Sequence, residues 1–328
     1  MKICIYGAGA IGGLLGARLA NKGAEVSVVE VGPTLAAIEA HGLRVQEGSE
    51  LVSAPVKAVS DPATLGQQDL VIIAVKGPTL KAIAPRVAAL LGPHTVVMTA
   101  MNGVPWWFFE GFGGEYAGMQ LKSVDPDGSI AAAIPPDRVV GCVIMLSCRP
   151  IEPGLIQHVS GNNLTIGEPN DTISDRVRTL CGLFTTAGFN VTMSSSIQKD
   201  IWFKLLGNMT HNPISALTGA TMDRILDDPH TNDLCVKIMT EAGEVGKKIG
   251  CALTETPEQR NEAGRKLGPF KTSMLQDVEA RKATELDGLV GVVCEIARKV
   301  NVSTPFTDAL FGLARVQAQV LGLYPETR

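Results

Sequence analysis

The feature that most constrains this chain is its opening stretch, MKICIYGAGAIGGLLGARLANKGAEVSVVE. Lys2 to Tyr6 is a short apolar run that ends at a glycine, which predicts a buried strand. Gly7, Ala8, Gly9, Ala10, Ile11 and Gly12 then spell G-x-G-x-x-G, and Ala10 to Ala20 continues as an apolar helix. The three glycines have separate jobs. The first permits a tight turn, the second lets backbone approach a pyrophosphate, and the third lets the helix pack on the strand. N–H groups at the helix start, with the positive end of its dipole, hold the phosphates. Such a motif carries little by itself. Here a strand precedes it, a helix follows, a second strand is predicted at Glu25 to Val29, and the acidic Glu30 lies 18 residues beyond Gly12. That is the context the motif requires, and it predicts a nicotinamide or flavin dinucleotide site.

At 328 residues the chain exceeds one ordinary core, so two domains are expected. With 45% hydrophobic and 19% charged residues it is an ordinary globular composition. A net charge of −4 without a Lys/Arg run argues against nucleic-acid or membrane-surface binding as the main role. The N-terminal apolar stretch is too short for a signal-peptide core, and runs such as Leu70 to Val75 are far short of a bilayer span. Seven scattered cysteines form no C-x-x-C pair and read as small core residues in a reducing, cytoplasmic setting. None is assigned to a metal or to catalysis.

After the first βαβ unit, residues 42–54 are expected to form short connecting strands. Asp69 to Val75 predicts a buried parallel strand, and Lys76 follows at its carboxyl end, where open α/β sheets bind ligands. Pro78 to Leu91 predicts a helix with proline in its first turn. The next strand, Thr95 to Ala100, ends in Met101-Asn102-Gly103, so Lys76 and Asn102 are delivered to the edge that carries the glycine loop. Residues 104–136 are irregular and carry Trp106-Trp107-Phe108-Phe109, a cluster expected to pack against its own domain. Antiparallel strands follow at Arg138 to Arg149, Gly154 to Ser160 and Asn163 to Gly167, read as an added sheet edge. A helix at Ser174 to Ala187 and a strand at Phe189 to Met193 close the first domain. The expected fold is α/β: a Rossmann-type, doubly wound domain over 1–195 and an all-helical domain over 196–328.

In that second half, segments 196–218, 231–249, 284–300 and 304–321 have helical apolar spacing. Lys204, Asn208 and Asn212 are spaced by four and share one helical face, with Pro213 suggesting a kink. A solvated stripe would more commonly carry Glu or Arg than two asparagines. A second polar cluster runs from Ser273 to Asp277, then Arg281 and Thr284-Glu285-Leu286-Asp287, with Glu285 expected in a first helical turn, where a carboxylate is favourable whatever its function.

These residues resemble the ketopantoate reductases (2-dehydropantoate 2-reductases) from Met1 to about residue 320. The resemblance rests on G-A-G-A-I-G at 7–12, Val75-Lys76, Asn102-Gly103, K-L-L-G-N-x-x-x-N-P-I-S-A-L at 204–217, and S-M-L-Q-D-V…R-x-x-T-E-L-D at 273–287. The last two stretches are more specific than the glycine motif. The resemblance implies reduction of a small 2-keto acid, ketopantoate, to pantoate in the route to pantothenate and coenzyme A. It implies Lys204 as the general acid and Glu285 as the carboxylate that orients it and binds the substrate hydroxyl. Asn208, Asn212 and Ser273 correspond to substrate-contacting positions, the last at the carboxylate. Lys76 and Asn102 correspond to positions lining the nicotinamide-ribose side of a cleft between the domains.

Three departures bear on this expectation. Much of the family has an arginine after the second strand for the 2′-phosphate of NADPH; here Glu30 and Val31 stand there. A carboxylate accepts from a ribose 2′-OH and repels a 2′-phosphate, which favours NADH, whereas the family habit favours NADPH. Phe270 stands where a polar substrate contact is common, and the 104–136 segment is long and aromatic. A paralogue reducing another branched 2-keto acid is the alternative, followed by a dinucleotide sensor without activity. The sensor reading would go with loss of Lys204, Asn208, Ser273 and Glu285, all of which are present. A homodimer through the second domain is compatible with Gly288 and Gly291, which allow close helix approach.

Overall fold

The structure is a computed structural model that describes residues 1–325. Its chain divides into two compact units, Met1–Met101 with Gly128–Ile197, and Asn102–Asp127 with Gln198–Arg328.

The first unit opens with β1 (Lys2–Tyr6), α1 (Ala10–Asn21) and β2 (Glu25–Val29), then α2 (Gly32–His41). A hairpin of β3 (Leu43–Glu47) and β4 (Glu50–Ala54) follows, and then β5 (Lys57–Val59). The chain continues through β6 (Gln68–Ile73), α3 (Gly77–Val87), β7 (Leu91–Thr99) and the short α4 (Ser129–Ala133). It closes with β8 (Val139–Glu152), β9 (Leu155–Gly167), α5 (Asp175–Thr186) and β10 (Asn190–Met193). All ten strands form one sheet ordered β4-β3-β9-β8-β7-β6-β1-β2-β5, with β10 beside β9. From β5 to β8 every neighbour is parallel. Counted along that run, the order is 3-2-1-4-5-6 of a dinucleotide-binding fold, which reverses between β1 and β6. Ile3, Ile5, Val28, Leu70 and Ile72 give the sheet its buried face, against Leu14 and Leu15 of α1.

The expected strands at 154–160 and 163–167 are one strand, β9, and it is no edge: it joins β8 on one side to β3 on the other. The β8–β9 register shifts between Met145 and Leu146. Gly161 lies opposite, at φ +74°, where an added Cβ would stand 2.7 Å from the Met145 carbonyl oxygen. A glycine there absorbs a bulge and lets the strand continue.

The second unit contains α6 (Ile197–Thr218), α7 (Met222–Asp227), α8 (Pro229–Lys248), α9 (Pro257–Arg265), α10 (Ser273–Glu279), α11 (Val292–Lys299) and α12 (Pro305–Val320). Helix α6 continues through Pro213, so Lys204, Asn208 and Asn212 stay on one face. Its Trp202 is fully buried and donates from Nε1 to the Ala242 carbonyl at 3.1 Å. Gly246 of α8 lies so near that a Cβ would meet Trp202 Nε1 at 2.3 Å.

Residues 102–127, expected in the first domain, cluster with this second unit. Phe108 packs 6.0 Å from the Trp202 ring and edge-on to Phe109 at 5.1 Å. Gln198 Nε2 donates to the Phe108 carbonyl at 3.2 Å. The Glu295 carboxylate on α11 accepts from the Lys122 and Ser123 N–H groups and from Ser123 Oγ. The aromatic cluster is thus part of the buried core of the helical unit.

Glu285 is not inside a helical turn. It precedes the helix as a capping residue, its carbonyl accepting from Leu289 N–H at 3.1 Å, and the first turns, Asp287–Gly291, are π-helical. Among the described residues no helix is long and apolar enough to cross a membrane.

Candidate functional site

In the first unit the glycine loop connects β1 to α1 at the point where strand order reverses. Gly7 has φ +93°, and a Cβ there would stand 2.8 Å from Val75, in the loop after β6. A Cβ on Gly12 would lie 2.0 Å from the Gly7 carbonyl oxygen. A Cβ on Gly9, by contrast, would meet nothing within 4 Å. No side chain caps the start of α1, and its first turn has no acidic residue. Backbone open on one side, beside an uncapped helix start spanning Ala10, Ile11 and Gly12, fits the pyrophosphate of a dinucleotide.

Glu30, at the end of β2, turns its carboxylate to this loop. Oε2 accepts from Ala8 N–H at 2.7 Å and Oε1 from Val31 N–H at 3.0 Å. The acidic group therefore sits where a ribose hydroxyl beside the loop would be read, and the Val31 side chain is 59% exposed. Lys76 takes the capping position of α3 in the loop after β6.

In the second unit the structure brings two pairs of the expected residues together. Lys204 Nζ donates to Asn102 Oδ1 at 2.8 Å, across 102 residues of sequence. Asn212 Nδ2 reaches Ser273 Oγ at 3.4 Å. Asn208 lies between Lys204 and Asn212 on the same face of α6 and is half-buried like Lys204. Ser273 is exposed at the start of α10, and Glu285 is half-buried at the start of the π turn. An ammonium held by a neutral amide oxygen, in a row of amide and hydroxyl groups, can both bind an oxyanion and give it a proton.

Sequence reasoning missed what fixes this row from behind. His211, 5% exposed, has Nε2 at 2.9 Å from Asn261 Oδ1 on α9. Asn261 Nδ2 in turn donates to Asn232 Oδ1 on α8 at 2.8 Å. Since the amide oxygen only accepts, the imidazole proton is assigned to Nε2. Burial lowers the His211 pKa from 6.5 to about 4, so the ring is neutral near pH 7. The consequence for stability has a definite sign. Below pH 6.5 the unfolded chain takes up a proton that the folded chain refuses, so stability falls from there to about pH 4. The slope is about 1.4 kcal/mol per pH unit, roughly 3 kcal/mol in all. Urea unfolding across this pH range should show that component, and His211→Gln, which keeps an N–H donor, should remove it.

Gly103 was also missed as a contact. It has φ +85°, and a Cβ there would stand 2.3 Å from the Gly288 carbonyl oxygen, which accepts from Val104 N–H at 2.9 Å. The loop bearing Asn102 is thereby pressed onto the π turn that follows Glu285. No local pattern in sequence announces that approach.

Residues 3–171 match the family described as ketopantoate reductase PanE/ApbA, and residues 196–318 match its C-terminal counterpart. The 2-dehydropantoate 2-reductase of Mesorhizobium japonicum is 43% identical over 325 residues, covering 99% of this chain and 100% of the relative. Among solved structures, a candidate ketopantoate reductase from Ralstonia solanacearum superposes with a TM-score of 0.95 at 50% identity, covering 98% and 99% of the two chains. The 2-dehydropantoate 2-reductase of Methylococcus capsulatus superposes with a TM-score of 0.83 at 25% identity, with 98% of each chain covered.

Proposed function

The chain belongs to the ketopantoate reductase family, and from that premise we propose that it is a 2-dehydropantoate 2-reductase, reducing the 2-keto group of ketopantoate to the hydroxyl of pantoate. The observation that carries the reading is the Lys204–Asn102 pair at the head of the polar face of α6.

A reduced nicotinamide dinucleotide held at the glycine loop would supply the hydride for the keto carbon, which would leave negative charge on the keto oxygen. The Lys204 ammonium stabilises that charge and delivers a proton to the oxygen, which completes the hydroxyl. Asn102 Oδ1, by holding Nζ, limits the directions in which the proton can point. Asn208, Asn212 and Ser273 bind the substrate, with Ser273 at its carboxylate. Glu285 orients the lysine and accepts from the substrate's own hydroxyl. In the first unit the residues for the cofactor are Gly7, Ala8, Gly9, Ala10, Ile11, Gly12, Glu30 and Lys76.

We infer NADH as the preferred cofactor. The reading is supported by the Glu30 carboxylate beside the loop and the neutral, exposed Val31 that follows it. A 2′-phosphate placed against Glu30 meets like charge with no arginine at position 31 to offset it. The ratio of kcat/KM for NADH over NADPH should exceed one, and Glu30→Gln should move it toward NADPH by about tenfold through loss of one charge repulsion. A ratio that favours NADPH in the unaltered protein would refute the preference.

Phe270 keeps a second substrate in view, because it is half-buried where a polar contact is common. Its carbonyl accepts from Met222 N–H at 3.0 Å, so the backbone there is fixed. A panel of branched and aromatic 2-keto acids decides. Ketopantoate should give the highest kcat/KM, and a clear maximum at another keto acid would transfer the assignment to that substrate.

A further inference from the structure

The chain ends α12 in a turn that folds back on the segment carrying Glu285. The Leu323 carbonyl accepts from Thr284 N–H at 3.2 Å. The Tyr324 hydroxyl donates to Asp287 Oδ1 at 2.6 Å. Glu285 thus lies between two anchored positions, one residue after the first and two before the second. Leu323 is itself secured, since it is 6% exposed and its N–H donates to the Ala318 carbonyl at 2.7 Å. The second anchor also reaches further. Asp287 opens the π turn, whose Gly288 carbonyl accepts from Val104 N–H and abuts Gly103. The next residue back is Asn102, which holds Lys204 Nζ.

We propose that Tyr324 and Asp287 are positioning residues: the turn after α12 straps the Thr284–Asp287 segment and so fixes both Glu285 and the Asn102 loop. The inference rests on the roles proposed above for Glu285 and Lys204. Two physical features support it. Burial, and then the Asp287 hydrogen bond and charge, raise the Tyr324 hydroxyl above its usual range, so it remains a donor wherever the enzyme works. Burial likewise raises the Asp287 carboxyl, which marks it as a group placed at a cost for a specific partner. A π turn beside reacting groups is a recurrent way of setting side-chain direction.

The test is a cycle built on Tyr324→Phe, which keeps the ring and removes only the donor. It should lower kcat by about tenfold and raise KM for ketopantoate, because misplacement of reacting groups is costly. The melting temperature should stay close to that of the unaltered protein. Asp287→Leu should behave like Tyr324→Phe, while Asp287→Asn, which keeps an acceptor for the phenol, should restore most of the loss. In a Glu285→Gln background, Tyr324→Phe should add less than about twofold, the mark of two residues acting through one another. Full activity of Tyr324→Phe, or an equal loss in both backgrounds, would overturn the strap. A fully active Glu285→Gln would overturn the role of Glu285 first, and the strap with it.

Discussion

Lys204→Ala should lower kcat by about 10²–10⁴-fold, the range that a positioned general acid contributes. The side chain is half-buried on α6, and its ammonium donates to Asn102 Oδ1. Its removal leaves an Asn102 amide oxygen that is itself only half-buried and can be hydrated, so the fold should survive the substitution. Activity and stability therefore separate in this variant. Lys204→Arg sharpens the point. A guanidinium keeps the charge, and with it some stabilisation of the keto oxygen, but gives up its proton with great difficulty. Arginine should restore part of the substrate affinity and little of the turnover. Steady-state kinetics beside a thermal melt would check all three quantities. Near-normal kcat in the alanine variant, with an unchanged fold, would remove Lys204 from the proton-transfer step.

Gly12→Ala should abolish tight dinucleotide binding and lower the melting temperature. Its Cβ would lie 2.0 Å from the Gly7 carbonyl oxygen, 2.9 Å from Ala74 Cβ and 3.0 Å from Ile5 Cγ2. None of these is the far end of a flexible side chain. The start of α1 must lift from the loop, at an overpacking cost of about 1–3 kcal/mol, and the phosphate-binding N–H groups move with it. Gly9→Ala provides the contrast. A methyl group there meets nothing in the protein, so the melting temperature should hold while dinucleotide affinity falls. Cofactor titration and melting of the two variants separate the packing glycine from the approach glycine. Equal melting temperatures for both, with affinity retained, would contradict these roles.

How much of this was legible in sequence depends on how local the cause is. The β1–α1–β2 unit is written in thirty consecutive residues, with each glycine answering a different steric demand, and the structure follows it closely. The same holds for the face shared by Lys204, Asn208 and Asn212, because helical spacing alone puts them together. Strand β9 was misread because Gly161-Asn162-Asn163 has the composition of a turn. Only the bulge opposite Met145, a tertiary feature, explains why the strand goes on. Residues 102–127 cluster with the helical unit for a related reason. Their order comes from Glu295, more than 170 residues away, and from Trp202, whose partner is not marked by any local pattern. Helix α6 runs on through Pro213, with Ile214 and Ala216 buried beyond the proline.

The candidate site divides along the same line. Which residues carry polar groups was readable. Which atom each one meets was not, as Lys204 with Asn102, His211 with Asn261 and Tyr324 with Asp287 all show. These pairs join segments 37 to 102 residues apart, and amphipathic spacing is silent at that range.

The most direct test of the central claim is to mix the purified protein with ketopantoate and a reduced nicotinamide and follow cofactor oxidation together with pantoate formation. The proposed function predicts sustained turnover with one pantoate formed per nicotinamide oxidised, faster with NADH than with NADPH. Binding of either dinucleotide without any pantoate formed would contradict it.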